Sequence, residues 1–204
     1  DYVSVLIEAG LNPVIIDVDA FALENMFAVN YEAEMNETIA MANVGASITN
    51  INILKNNISA FTRDIFKGGN YITEEIQRQL HIDYEEAEKI KIGSKLETSQ
   101  QPMVQEVLQA ASETLALEIA NSLEFFQSTT TYEKISKIYL SGGGSKVKDF
   151  DTILQQQTGI PVETVNPFKK IEFNEKSFDI EYLREIGPMM AVGVGLATRK
   201  VGDK

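Results

Sequence analysis

Apolar residues along this chain fall at helical spacing, then at every second position, then at helical spacing again. That order predicts an α/β protein rather than an all-helical or all-strand one. Val3, Leu6 and Ile7 mark a first helix, already in progress at Asp1 and stopping at Gly10. Pro13 to Val18 is a short apolar run expected to be a buried strand, and Asp19 is placed to cap a helix from about Ala20 to Ala28. Three strand candidates follow in succession, Thr38 to Val44, Ser47 to Leu54 and Ile58 to Phe66. Their short connections, Gly45-Ala46 and Lys55-Asn56-Asn57, predict an antiparallel meander.

The helical period returns after Gly68-Gly69-Asn70, with Ile72, Ile76 and Leu80 as one stripe, and again from Tyr84 to Lys91 behind Asp83. Gly93 to Pro102 is polar and aperiodic, which reads as a mobile loop. The longest helix is expected from Met103 to about Phe126, with Val104, Val107, Leu108, Ala111, Leu115, Ile119, Ser122 and Phe126 on one face and a break at Ser128 to Thr131. A strand at Ile138 to Leu140 then runs into Ser141-Gly142-Gly143-Gly144-Ser145, and a helix is expected at once, from Val147 to Gln157. A short strand at Val162 to Thr164 and two closing helices, Ile180 to Ile186 and Met189 to Thr198, complete the pattern. Small residues at Ala191, Gly193, Gly195 and Ala197 read as close helix packing, because Gly193-x-Gly195 follows no strand and lacks the third glycine of a dinucleotide loop.

Composition narrows the function more than the fold. A formal net charge of −12 over 204 residues argues against a non-specific nucleic-acid binder and against independent docking on anionic lipid. Cysteine is absent, so neither a disulfide framework nor a thiolate metal site is available. No apolar run approaches the roughly 18 residues needed to cross a bilayer. The helix already in progress and the lack of an initial methionine make the expectation a carboxy-terminal fragment of a longer protein.

The glycine triplet is the best functional clue. Glycine is costly to order, so three in a row between a strand and a helix imply that a ligand approaches the backbone closely. A helix N-terminus beyond it would favour an anion such as phosphate. The hairpin tip Asn43-Val44-Gly45-Ala46-Ser47 could cradle phosphate through its N–H groups, although an ordinary tight hairpin explains it as well. Together, two such loops suit a nucleotide cleft. A P-loop is excluded, since no G-x-x-x-x-G-K-[ST] occurs. The lone His81 reads as a helix-end residue rather than a catalytic group. Tyr84-Glu85-Glu86-Ala87-Glu88 reads as a solvated face, and Asp17 and Asp19 could equally serve function at a strand end or cap the next helix.

The glycine hairpin, Gly68-Gly69-Asn70, Leu140 to Ser145 and Ala191 to Ala197, taken in order, resemble the actin-like ATPase superfamily. Within it, Ala9-Gly10-Leu11-x-Pro13-Val14-x-Ile16-Asp17-Val18-Asp19, Val44 to Asn52 and Gly68 to Thr73 resemble the PilM family of type IV pilus assembly proteins. The likeness extends over nearly the whole chain. It implies an actin-like (ribonuclease H-like) lobe: the end of a first lobe at 1–36, a second lobe at 37–178 with a helical subdomain at 69–100, and closing helices at 179–204. It also implies a cytoplasmic nucleotide-binding scaffold at the inner face of the membrane. Its partners would be the cytoplasmic tail of a PilN-like membrane protein and other pilus proteins including the assembly ATPase, with a homo-oligomer open.

The expected cofactor is ATP with Mg2+ in the full-length protein, and weak or no binding by a half-cleft. The expected contacts are Gly142, Gly143, Gly144 and Ser145 on the adenosine side, Asn43, Gly45, Ala46 and Ser47 on the phosphate side, and Gly69 and Asn70 at the nucleoside border. Where many relatives carry aspartate in the hairpin, this chain has Asn43. An amide cannot act as a carboxylate toward a magnesium-bound water, so inefficient hydrolysis is expected. Two other readings stay open, a kinase-type enzyme of the same superfamily and an FtsA-like filament protein, although Thr198 to Lys204 carries too little apolar surface for a membrane-inserting helix.

Overall fold

The computed structural model describes residues 2–32, 37–93, 101–131, 134–174 and 176–200. The three consecutive strand candidates become β1 (Thr38–Val44), β2 (Thr49–Lys55) and β3 (Ile58–Ile65), paired antiparallel as the short connections require. Asn56 and Asn57 both take left-handed backbone, at φ 53° and 61°, in the tight turn that joins β2 to β3. β4 (Lys137–Ser141) lies parallel to β1, and β5 (Val162–Thr164) parallel to β4, giving one five-stranded sheet in the order β3-β2-β1-β4-β5.

Helices cover both faces. The strand alternation sends Ala40, Ala42, Val44, Ile51 and Ile53 to one side, where α3 (Gly69–Leu80), α4 (Tyr84–Lys91), α5 (Gln101–Thr129) and α6 (Phe150–Thr158) supply Ile72, Ile76, Ile90, Leu115, Ile119, Phe126, Phe150 and Leu154. Ile39, Met41, Leu54 and Tyr139 point to the other side, against Leu23, Met26 and Phe27 of α2 (Asp19–Asn30) and Ala191 and Val194 of α8 (Ala191–Ala197). At the α2–α8 crossing a Cβ on Gly195 would stand 1.7 Å from the Ala22 carbonyl oxygen, so the helices touch backbone to backbone there. That bears out packing as the reason for this glycine.

α1 (Tyr2–Glu8) and α7 (Ile180–Ile186) complete the helices. His81 closes α3 in left-handed backbone at φ 56°, and Asp83 caps α4 by accepting a 2.8 Å bond from the Glu86 N–H. The expected strand at Pro13 to Val18 does not form: these residues join no sheet, and Val14 and Ile16 are 67% and 78% exposed. An apolar run becomes a strand only when a neighbour supplies backbone partners, and the sheet offers none at that position. Asp19 is not the cap of α2 but lies within its first turn, and Val18 takes the cap position without a side-chain bond. The helix expected from Val147 starts at Phe150 instead, after a 3₁₀ turn at Gly143–Lys146. Most of the expected loop from Gly93 to Pro102 lies outside the described residues, and α5 begins two residues earlier than Met103.

Candidate functional site

Parallel pairing of β1 and β4 brings the hairpin tip and the glycine loop to the same end of the sheet. Between them lies a cleft of about 340 Å³. Gly45, Ala46, Gly69, Asn70, Gly143 and Gly144 border it, so six of the ten expected positions converge from three distant segments.

The hairpin wall is fixed by main-chain bonds. The Gly69 N–H donates to the Gly45 carbonyl at 2.9 Å and the Asn70 N–H to the Ala46 carbonyl at 2.8 Å. Two of the first N–H groups of α3 are therefore spent on the hairpin, which removes part of the anion affinity a free helix start would have. The Asn70 amide donates to the Ser47 hydroxyl at 3.3 Å and accepts from the Tyr84 hydroxyl at 3.2 Å; Ser47 is exposed and does not line the cleft.

The glycine loop is held differently. Gly142 takes φ +84°, and its N–H donates to the Pro188 carbonyl at 2.8 Å. A Cβ on Gly144 would meet Val44 Cγ1 at 2.1 Å, so this glycine serves the close approach of the loop to β1. Gly143 has open space, with only Met189 Sδ at 4.0 Å from where its Cβ would stand. Ser145 turns inward, its hydroxyl donating to the Gly142 carbonyl at 2.7 Å. Because α6 begins only at Phe150, the helix-dipole part of the phosphate expectation is withdrawn: the dipole falls off within the first turn.

Asn43 does not line the cleft but sits in a polar row across four strands, two of whose members, Asn50 and Asp64, line a separate cleft. Ser141 Oγ donates to Asn43 Oδ1 at 3.1 Å, Asn43 Nδ2 to Asn50 Oδ1 at 3.2 Å, and Asn50 Nδ2 to Asp64 Oδ1 at 2.8 Å. The pairing register puts all four residues opposite one another. Each amide is used as both donor and acceptor, so the row has a direction that ends on a carboxylate.

The remaining lining comes from Tyr84, Glu88, Lys91, Ile92, Lys146 and Met189, none of them anticipated. The solvated-face reading holds for Tyr84, Glu85 and Glu86, which are exposed, but not for Glu88, which is half-buried. Burial works against its ionisation, but hydrogen bonds from the Lys91 ammonium and the Thr73 hydroxyl outweigh it and hold the carboxyl below the usual range. Lys91 is 8% exposed and also donates to Thr73 Oγ1 at 2.9 Å and to the Gly69 carbonyl at 3.3 Å. Burial and the Glu88 carboxylate raise the Tyr84 hydroxyl, which stays protonated at neutral pH. The Glu88-x-x-Lys91 spacing was the available signal, since i,i+3 partners share a helix face. The acidic residues around it masked that pair.

Asp17 and Asp19 line a separate open cleft of about 500 Å³ with Asn50, Arg63 and Asp64. Asp17 is committed to structure: its side chain is 4% exposed and accepts from Arg199 Nε at 2.6 Å. That bond holds its carboxyl below the usual range against the opposing effect of burial. Among the described residues no group of three or more histidine, cysteine, aspartate or glutamate side chains is arranged to hold a metal ion.

The model of the family described as "Type IV pilus assembly protein PilM" matches residues 1–201. The chain is similar to a solved structure described as a PilM-PilN type IV pilus biogenesis complex, with 29% identity and a TM-score of 0.84, over 99% of this chain and 57% of that one. It is also similar to ethanolamine utilization protein EutJ from Carboxydothermus hydrogenoformans, at 19% identity and a TM-score of 0.68, over 95% of this chain and 57% of that one. A third likeness is to MreB5 of Spiroplasma citri bound to ADP, at 16% identity and a TM-score of 0.65, over 95% and 62% of the two chains. The last two likenesses show the fold, which is actin-like. This chain spans less than two thirds of each of the three.

Proposed function

The chain belongs to the PilM family of type IV pilus assembly proteins, and from that premise we propose that it forms the second-lobe side of a nucleotide-binding actin-like scaffold. Its state governs how the cytoplasmic part of the pilus machine engages a PilN-like membrane protein. The observation that carries this reading is the convergence of Gly45-Ala46, Gly69-Asn70 and Gly143-Gly144 on one cleft of about 340 Å³. That volume lies at the small end of the roughly 300–1,000 Å³ of cofactor pockets, as fits one side of a shared site.

An adenine nucleotide fits the groups present. Gly143 offers bare backbone to a flat ring, and Asn70 keeps a second amide hydrogen for a hydroxyl or phosphate, while the three Lys91 donors are taken by Glu88, Thr73 and Gly69. Mg2+ fits less well as a ligand of this chain: Asn43 is an amide already bonded on both sides, so the ion would be held through the phosphates. The role proposed is binding and conformational state rather than rapid turnover. Membrane attachment would come through the partner, since no described helix is long and apolar enough to cross a bilayer. Contact with the assembly ATPase and self-association belong to the same reading and rest on the family alone.

Calorimetric titration of the full-length protein with Mg·ATP tests the cleft. Gly143→Val should weaken binding by about tenfold or more while leaving the fold intact, because its side chain would enter the cleft rather than the core. Unchanged affinity would sink the assignment. Robust phosphoryl transfer to small substrates by the wild-type protein would favour a kinase and overturn the scaffold. Co-purification with the cytoplasmic tail of a PilN-like protein, with and without nucleotide, tests the partner separately.

A further inference from the structure

Apart from the two clefts described above, the segment between β5 and α7 contributes to a third pocket, of about 270 Å³, lined by Asn166, Phe168, Lys169, Phe173, Ile180, Leu183 and Arg184. The segment is well anchored. The Asn166 N–H donates to the Tyr31 hydroxyl at 2.7 Å, the Lys170 N–H donates to Asn30 Oδ1 at 3.0 Å, and Phe173 and Phe178 meet edge to face at 6.2 Å. Phe173, Phe178 and Tyr182 nevertheless stay 37%, 52% and 58% exposed.

The charge at this pocket is opposite to that of the molecule. The protein carries a net −12, yet the only ionisable side chains lining the pocket, among the described residues, are the cations Lys169 and Arg184. Arg184 has no ion-pair partner among the described residues, and Lys169 rests over the Tyr31 ring, Nζ 4.6 Å from its centroid, rather than on a carboxylate. Apolar walls between two cations uncommitted to acids are complementary to an apolar side chain with a carboxylate on each flank.

We propose that this pocket docks a short acidic segment of a partner protein, one apolar side chain entering between Phe168, Phe173 and Leu183 while flanking carboxylates pair with Lys169 and Arg184. The volume is too small for a whole cofactor and suits one or two side chains. α7 also ties the pocket to the first cleft, because Glu185, next to Arg184, pairs with Lys146 at 2.9 Å.

Fluorescence anisotropy on this chain, with a labelled Asp-Glu-Leu-Phe-Asp-Glu peptide as probe, tests the proposal. The wild type should bind the probe, and Lys169→Glu with Arg184→Glu should weaken it by about tenfold or more, since two charge pairs become repulsions. Both side chains are exposed, so the thermal melt should fall only by the small loss of the Lys169–Tyr31 contact; a Lys-Lys-Leu-Phe-Lys-Lys peptide should recover affinity on the double variant. Replacing Leu-Phe by Ser-Ser should abolish binding. Equal affinity of wild type and double variant for the acidic probe, or no preference of the wild type for the acidic over the basic peptide, overturns the proposal. So does a dimer of the chain that the double substitution dissolves, which would make a second copy the occupant.

Discussion

The two walls of the cleft differ in how they are tied to the rest of the molecule, although close approach at glycine is common to both. The hairpin side is held by main-chain hydrogen bonds from Gly69 and Asn70 into Gly45 and Ala46, bonds that any residue with an N–H and a carbonyl can make. The glycine-loop side is held by what is missing: Gly144 has no Cβ, so the loop closes onto Val44, and one bond to Pro188 ties it to the closing helices. The first wall is sterically tight as well: a Cβ on Gly45 would stand 2.8 Å from the Ile48 carbonyl oxygen and one on Gly68 2.5 Å from the Gly45 carbonyl oxygen, whereas one on Gly69 would come no nearer than 3.5 Å to Lys91 Nζ. The second fails when a single carbon is added in the wrong place, and Gly143, between the two constrained glycines, is the position where a carbon can be added harmlessly to the fold. Glycine density alone therefore does not identify ligand contacts.

The contrast breaks most directly at Gly144. Gly144→Val drives a methyl-bearing carbon into Val44 and should cost about 3 kcal/mol, read from the urea midpoint. A loss under about 1 kcal/mol would mean that the loop is not held by close approach. Next, Lys91→Met should cost about 2 kcal/mol, since Glu88, at 32% side-chain exposure, loses its cation while water relieves part of the loss.

The same variant has a pH signature. The folded Glu88 carboxyl sits below its ordinary value, so its stabilisation is complete above about pH 4.3 and disappears as pH falls through the lower folded value. Lys91→Met should flatten that acid limb in denaturation midpoints measured from neutral pH downwards; an unchanged limb would assign it to other groups such as Asp17. Asn43→Asp comes next, at about 1 kcal/mol, because a carboxylate oxygen would replace the donor that faces Asn50 Oδ1 at 3.2 Å. A gain in stability would show that the polar row has no fixed direction. The smallest effect belongs to Gly143→Ala, within about 0.5 kcal/mol, since its Cβ meets only open space and the Met189 thioether. A large loss there would erase the difference between Gly143 and Gly144.

Most of the architecture was legible because its causes are local. An apolar run and two alternating ones along Thr38 to Ile65, with two short turns, dictate a meander, and the predicted bounds of β5 and α7 agree with those observed. The stripe Val104 to Phe126 dictates a helix whose buried face is the one its period marks. Pro13 to Val18 misled for the complementary reason: apolarity is a property of the segment, whereas a strand also needs a neighbour. The start of α6 misled because Gly143 to Lys146 bonds as a 3₁₀ turn, a choice governed by contact with Val44 and Pro188 rather than by helical period.

What the sequence determined by itself is therefore the order of elements, the family they belong to, and the two glycine-bearing loops. Each is encoded within a few residues of chain. Only the tertiary structure decided that the loops share one cleft, that Glu88 and Lys91 turn into it, and that Gly144 serves packing while Gly143 faces open space. Those outcomes depend on the parallel β1–β4 pairing across nearly one hundred residues of sequence, and no local pattern specifies which distant side chain will stand within four ångströms.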